Sequence, residues 1–228
     1  SHGVVVQSIG GGGGLLVSNT RADNTFVAQN SDNEGSGGDI NYAQSGFVMT
    51  EGEGAYGVAV QSLGGGGGIV DNVFFGSAGG AGTSGDLLLN LTGSATVGGD
   101  NGIALLAQSE ARDGAGDIGF DVGGNVTAAG NFSTGVLGIT RSSATSGGLS
   151  IQVGGNAIAS GNHSVALELS SVGAMTKGIS LVIDDYLQVS GYSAQGIKAS
   201  AIGGAESAVT KFALGGPVTV EGADATGI

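Results

Sequence analysis

GDIGFDVGGNVTAAG, residues 116–130, is followed by GLSIQVGGNAIASG at 148–161 and GISLVIDDYLQVSG at 178–191. GDLLLNLTGSATVGG (85–99) precedes them and AVTKFALGGPVTVEG (208–222) comes after. The segments align almost without gaps. Their closing glycines, Gly99, Gly130, Gly161, Gly191 and Gly222, are spaced 31, 31, 30 and 31 residues apart. Ahead of them runs an apolar column, Leu91, Val122, Val153, Ile183 and Leu214, and beside it another, Leu89, Phe120, Ile151, Leu181 and Phe212. Two more columns are Ala95, Val126, Ala157, Leu187, Val218 and Val97, Ala128, Ala159, Val189, Val220. Within each segment apolar residues stand two apart, the strand period, and helical spacing is not sustained.

A third run follows each closing glycine: GIALLAQS (102–109), GVLGITRS (135–142), SVALELSS (164–171) and GIKASAIG (196–203). The chain opens on this same run, SHGVVVQS at 1–8, and repeats it as AYGVAVQS at 55–62. Each unit is therefore three short strands of about 30 residues joined by Gly-, Asn-, Asp- and Ser-rich corners. If each unit winds once, residues one period apart stack about 4.8 Å from one another and like side chains pile into columns. The expected fold is all-β: a right-handed parallel β-helix, a three-sided β-solenoid, with handedness set by the crossover preference of parallel strands. Antiparallel hairpins of a sandwich or barrel would not require spacing held to within one residue. Residues 1–228 read as one solenoid segment of roughly six to seven coils, a rod about 30 Å long. Both ends fall in mid-coil without a capping element, as expected of a fragment of a longer chain.

The corner after the third run varies in length. Seven residues separate Ser109 from Asp117 and five separate Ser142 from Gly148, but 30 separate Ser8 from Asp39 and 23 separate Ser62 from Asp86. The two long excursions, insertions at 10–37 and 64–84, both begin with five glycines and leave from one corner, so they should lie one above the other. A phosphate-binding loop would need Gly-Lys-Ser/Thr or a helix N-terminus after the glycines, and neither follows. The glycines read instead as a flexible hinge carrying an insertion off a rigid frame. Excursions on rigid scaffolds are where binding tends to reside. Arg21, Phe26, Phe74 and Phe75 are accordingly the candidate partner contacts, although simply covering the rod is the favoured reading of the phenylalanines.

Glycine makes up 50 of 228 residues, yet Pro217 is the one proline and no Gly-X-Y period exists, which excludes collagen. A hydrophobic share of 40% and a mean hydropathy of +0.26 argue against disorder. A net charge of −13 repels phosphate backbones, so nucleic acid is not an expected partner. Cysteine is absent, which suits a chain that crosses an oxidising compartment unfolded. No apolar run reaches about 18 residues, so no membrane insertion by this segment is expected.

β-Helices also host polysaccharide lyases and hydrolases, which need carboxylates converging on a groove. In the stacked register Asp86 lies beneath Asp117, but the next two coils carry Gly148 and Gly178 there. Asp121 meets Asn90 and Gln152, and the Asp184-Asp185 pair stands alone at a corner. His2 and His163 are the two histidines, and no GxSxG elbow exists. No catalytic residue, cofactor or dedicated metal site is therefore expected. GAGDIGFDVGG is only loosely like the Ca²⁺-binding nonapeptide and lacks its nine-residue period, which leaves loose Ca²⁺ binding at acidic corners.

GVVVQSIGGGGG and GVAVQSLGGGGG, followed by units that open on Gly-Asp and close on glycine, resemble the passenger repeats of bacterial autotransporter (type V secreted) adhesin-like proteins. The resemblance covers essentially the whole chain, and its specific part is the pentaglycine motif. It implies a β-helical passenger displayed on the cell surface and attached to the outer membrane through a region outside these residues. The implied roles are adhesion, autoaggregation or biofilm formation. The implied partners are a host or neighbouring-cell surface protein or glycan, or a second copy. No barrel, autochaperone segment or signal peptide is read here, as an internal fragment would have it. Two-partner-secreted haemagglutinin-like rods share the solenoid, and a polysaccharide-processing enzyme is the alternative of a different class.

Overall fold

A computed structural model describes residues 2–11, 14–16, 34–70, 73–75, 81–204 and 210–228. Among them no helix forms, and the chain winds through three six-stranded parallel sheets. The first sheet stacks Val4–Ile9, Tyr56–Leu63, Ile103–Glu110, Thr134–Arg141, Val165–Val172 and Gln195–Ile202. The second stacks Ile40–Gln44, Leu87–Leu91, Ile118–Val122, Leu149–Val153, Ile179–Ile183 and Thr210–Leu214. The third stacks Val48–Thr50, Ala95–Val97, Val126–Ala128, Ala157–Ala159, Leu187–Val189 and Val218–Val220. This is the three-sided β-solenoid expected from the repeat.

The register follows the columns residue for residue. Val122 pairs with Leu91 on one side and Val153 on the other, and Val153, Ile183 and Leu214 continue the stack. On the third sheet Val126 lies between Ala95 and Ala157, and Leu187 and Val218 follow. Alternation sends these side chains inward, where Leu91, Val122, Val153 and Ile183 are almost fully buried. Each such side chain contributes roughly 1.5–3 kcal/mol by leaving water. Phe120 is the one fully buried aromatic ring among the described residues.

Side-chain ladders hold the corners in register. Asn125 Oδ1 accepts the Asn156 N–H at 2.9 Å, and Asn125 N–H in turn donates to Ser94 Oγ at 3.0 Å. The recurring Gln-Ser of the first sheet has the same purpose. Ser62 Oγ donates to Gly38 O at 2.9 Å and accepts the Gly85 N–H at 2.8 Å, and Ser109 repeats this one coil on with Gly85 O and the Gly116 N–H. Gln7 Nε2 donates to Gln61 Oε1 at 2.6 Å, and Gln61 Nε2 donates to Gln108 Oε1 at 2.5 Å. Such ladders satisfy polar groups that stacking would otherwise bury without partners.

The outward face of the first sheet changes along the rod. Ala59, Gln61, Leu63, Leu106, Gln108 and Glu110 are buried on it, whereas Ile139 is half-buried and Arg141 exposed one coil later. The covered strands are Tyr56–Leu63 and Ile103–Glu110, whereas on Val4–Ile9, which the first insertion follows, Val5 is exposed and Gln7 and Ile9 are half-buried. Glu110 marks the boundary of the covered stretch. Its side chain is 3% exposed and faces Arg141, 57% exposed, at 3.5 Å in the next coil. The pair interrupts an outward column that is otherwise aliphatic, Ile9, Leu63, Val172 and Ile202. Arg141→Ala leaves a carboxylate in a desolvated position and is expected to destabilise the rod by about 2 kcal/mol. The double replacement Glu110→Leu with Arg141→Val makes the column aliphatic throughout and should restore the wild-type urea midpoint or exceed it. A double variant no more stable than Arg141→Ala alone would show that the pair is not desolvated as described.

Candidate functional site

The corner that launches both excursions is built from glycines in contact. Gly65, Gly66, Gly67 and Gly68 all have positive φ, from 75° to 124°, a run that L side chains do not adopt without strain. Gly35, on the return of the first excursion, lies against the opening glycines of both. Gly65 N–H donates to Gly35 O at 3.0 Å and Gly66 N–H to Gly10 O at 2.8 Å. A Cβ on Gly10 would stand 2.3 Å from Gly35 C, and one on Gly35 2.2 Å from Gly11 N. The expectation of a flexible hinge is corrected here: the second glycine run from Gly64 to Gly66 is buried, hydrogen-bonded and tightly packed. Glycine is required because three backbone segments meet where side chains have no room.

The two excursions pair where both are described. Gly14–Leu16 pairs in parallel with Gly68–Val70, which pairs antiparallel with Val73–Phe75. Phe74 and Phe75 are therefore placed on a strand of this small sheet, opposite Ile69 and Gly68. Arg21 and Phe26 lie outside the described residues. At the base, Asp113 closes the corner one coil on: its carboxylate accepts the Gly82 N–H at 2.8 Å and the Arg112 Nε–H at 3.1 Å. These two donors, the backbone one first, hold its carboxyl below the usual carboxylate value. His2 lies at the opposite end of the first sheet's strands, just before Val4–Ile9. Its Nδ1 accepts the Tyr56 N–H at 3.2 Å, and burial lowers its pKa while raising that of the Tyr56 phenol.

The second sheet carries the carboxylates that suggested chemistry. Asp39 Oδ1 accepts the Asp86 N–H at 2.8 Å, Asp86 Oδ1 the Asp117 N–H at 2.7 Å, and Asp117 Oδ1 the Gly148 N–H at 2.8 Å. Lys177 Nζ also reaches both oxygens of Asp117 at 2.9 Å, across the gap that Gly148 leaves by having no side chain. Each carboxylate thus braces the corner of the next coil. Asp121 pairs by register with Asn90 and Gln152. Beside this row lies a shallow groove of about 720 Å³, bordered by Asp86, Leu88, Asp117, Gly119, Lys177 and Lys211. Between Leu88 and Lys211 the outward column carries only Gly119, Ser150 and Ser180, small residues that leave the groove open. Among the described residues no group of three His, Cys, Asp or Glu side chains is arranged to hold a metal ion, and no helix is long and apolar enough to cross a membrane.

One surface feature escaped the sequence reading. Phe132, His163 and Tyr192, contributed by three successive coils, meet at the corner between the third and first sheets. Each belongs to a different unit, and none has an aromatic neighbour within its own corner. The 31-residue spacing of Phe132 and His163 was the signal that could have found the pair.

In comparisons with known proteins, no family model, curated sequence or solved structure matches this chain. The resemblance to autotransporter passengers stands on the residues quoted for it.

Proposed function

We propose that this chain is a stalk segment of a secreted bacterial surface protein of the autotransporter kind, serving as a rigid rod in adhesion, autoaggregation or biofilm formation. The observation that supports the reading is the combination of a constant-register solenoid with excursions that pair at one corner. Each coil contacts mainly its neighbours, so a chain emerging from a membrane can wind coil by coil without waiting for distant segments. The absence of cysteine removes the hazard of disulfides forming in the unfolded chain on the way out. A net charge of −13 keeps the rod soluble, and the excursions supply a side on which a surface protein, a glycan or a second copy would be met.

The test is antibody labelling of the source cells with serum raised against the purified chain. Intact cells are expected to label as strongly as permeabilised ones, and labelling that requires permeabilisation would overturn surface display. Beads coated with the chain should bind or clump those cells. Beads bearing chains deleted of 10–37 or 64–84, with the solenoid's circular dichroism retained, should bind severalfold less. Undiminished binding would remove the excursions from the adhesive role.

A further inference from the structure

The corner between the third and first sheets places one residue per coil in the left-handed region: Gly54 (φ 61°), Asn101 (56°), Phe132 (54°), His163 (55°), Ser193 (49°) and Asp224 (56°). Glycine and asparagine suit this conformation, and aspartate and serine can hydrogen-bond locally within it. Phenylalanine has neither advantage. Phe132 is also 59% exposed, so it gains little by leaving water. A strained residue that is not repaid by burial invites a functional account.

The rings supply one. Phe132 lies flat on His163, centroids 4.7 Å apart with 9° between planes, and His163 meets Tyr192 edge-on at 5.4 Å. The 4.7 Å separation matches the rise of one coil, so the stacked rings lie across the rod axis. His163 covers one face of Phe132. The opposite face is the side of the preceding coil, where the same column carries exposed Asn101, shorter than a phenyl ring, and Phe132 itself is 59% exposed. Asp100 borders this shelf, its Oδ1 accepting the Asn131 N–H at 2.9 Å and Nδ2–H at 3.2 Å. Tyr192, 50% exposed, presents the other end of the cluster. The result is a flat aromatic face supported from behind by His163 and bordered by the amide of Asn101 and the carboxylate of Asp100.

We infer that Phe132, backed by His163 and Tyr192, is a binding platform for a neutral hexose ring of a cell-surface glycan. A pyranose has an apolar C–H face that stacks on an aromatic face, and a rim of hydroxyls that pair with amides and carboxylates such as those of Asn101 and Asp100. The net charge of −13 selects against sialylated or otherwise anionic sugars. This deepens the surface-display reading by naming the ligand class, and it rests on that reading for its biological setting alone.

The purified full chain is titrated with lactose, maltotriose, mannotriose and sialyllactose while the aromatic proton resonances are followed. At least one neutral sugar should give saturable shifts with a Kd of about 1 mM, and sialyllactose should bind more weakly than lactose. Phe132→Asn places a residue that accepts the left-handed conformation in the column. It should therefore leave the thermal midpoint unchanged or higher while weakening the sugar about tenfold or more. Phe132→Tyr keeps the face and should retain binding. The inference is overturned by the absence of saturable shifts with every neutral sugar, by binding that survives Phe132→Asn, or by equal binding of sialyllactose. A chain that labels on intact cells but ignores sugars sinks the platform alone, and one that binds sugar but never reaches the surface sinks the display reading alone.

Discussion

Gly161→Ala is expected to lower the stability of the rod by roughly 3–5 kcal/mol, although only a methyl group is added. Gly161 is one of the five glycines that close the units, and its Cβ would stand 2.0 Å from Gly130 O and 2.5 Å from Gly130 C. The same clash recurs along the column, with 2.2 Å for Gly130 against Gly99 O and 2.1 Å for Gly191 against Gly161 O. Those carbonyls cannot yield easily. Gly130 O accepts the Ser133 hydroxyl at 2.6 Å, and Gly161 N–H is held by Ala128 O at 3.3 Å. Making room would mean prising one coil from the next. Gly98→Ala is the control, since its nearest neighbour is Thr50 O at 3.7 Å, and it should change stability by less than about 0.5 kcal/mol. Urea unfolding followed by far-UV circular dichroism compares the two. Equal midpoints would mean that the stacked glycines are not in the contact described.

Phe120→Ala should cost about 3–5 kcal/mol, the usual penalty for emptying a buried ring site. Phe120 fits because Gly138, on the first sheet, faces it across the core. A Cβ on Gly138 would come 3.4 Å from Phe120 Cε2, 3.3 Å from Leu169 Cδ2 and 2.8 Å from Leu149 Cδ2. The large residue of one sheet occupies the space that the small residue of another leaves. Gly138→Ala alone therefore overpacks, at a cost of about 1–2 kcal/mol, while Phe120→Leu underpacks. Combined, they should cost less than the sum of the single changes by about 0.5–1 kcal/mol. A double-mutant cycle measures this, and strict additivity would show that the two positions do not share a site.

Much of the rod was legible in the chain because its information is local and periodic. Alternation at Leu89 and Leu91 declares a strand, and recurrence at Phe120 and Val122 and again at Ile151 and Val153 declares that strands stack rather than fold back. The closing glycines were visible as a column even though their reason, carbonyl contact from coil to coil, was not. The candidate site was less legible. Phe74 and Phe75 fall on a strand that pairs with the excursion's own first strand, while the acid row of Asp39, Asp86 and Asp117 turned out to brace corners.

By itself the sequence determined period, register, sidedness and the point where the excursions leave, since each follows from which residues recur at a fixed interval. Tertiary structure alone decided that Gly35 packs between two glycine runs, that Gln61 and Glu110 are buried on a face alternation assigns to solvent, and that Phe132 lies on His163. These depend on what another part of the chain does in space: where a returning segment passes, what covers an outer face, and which side chains one coil lays over the next.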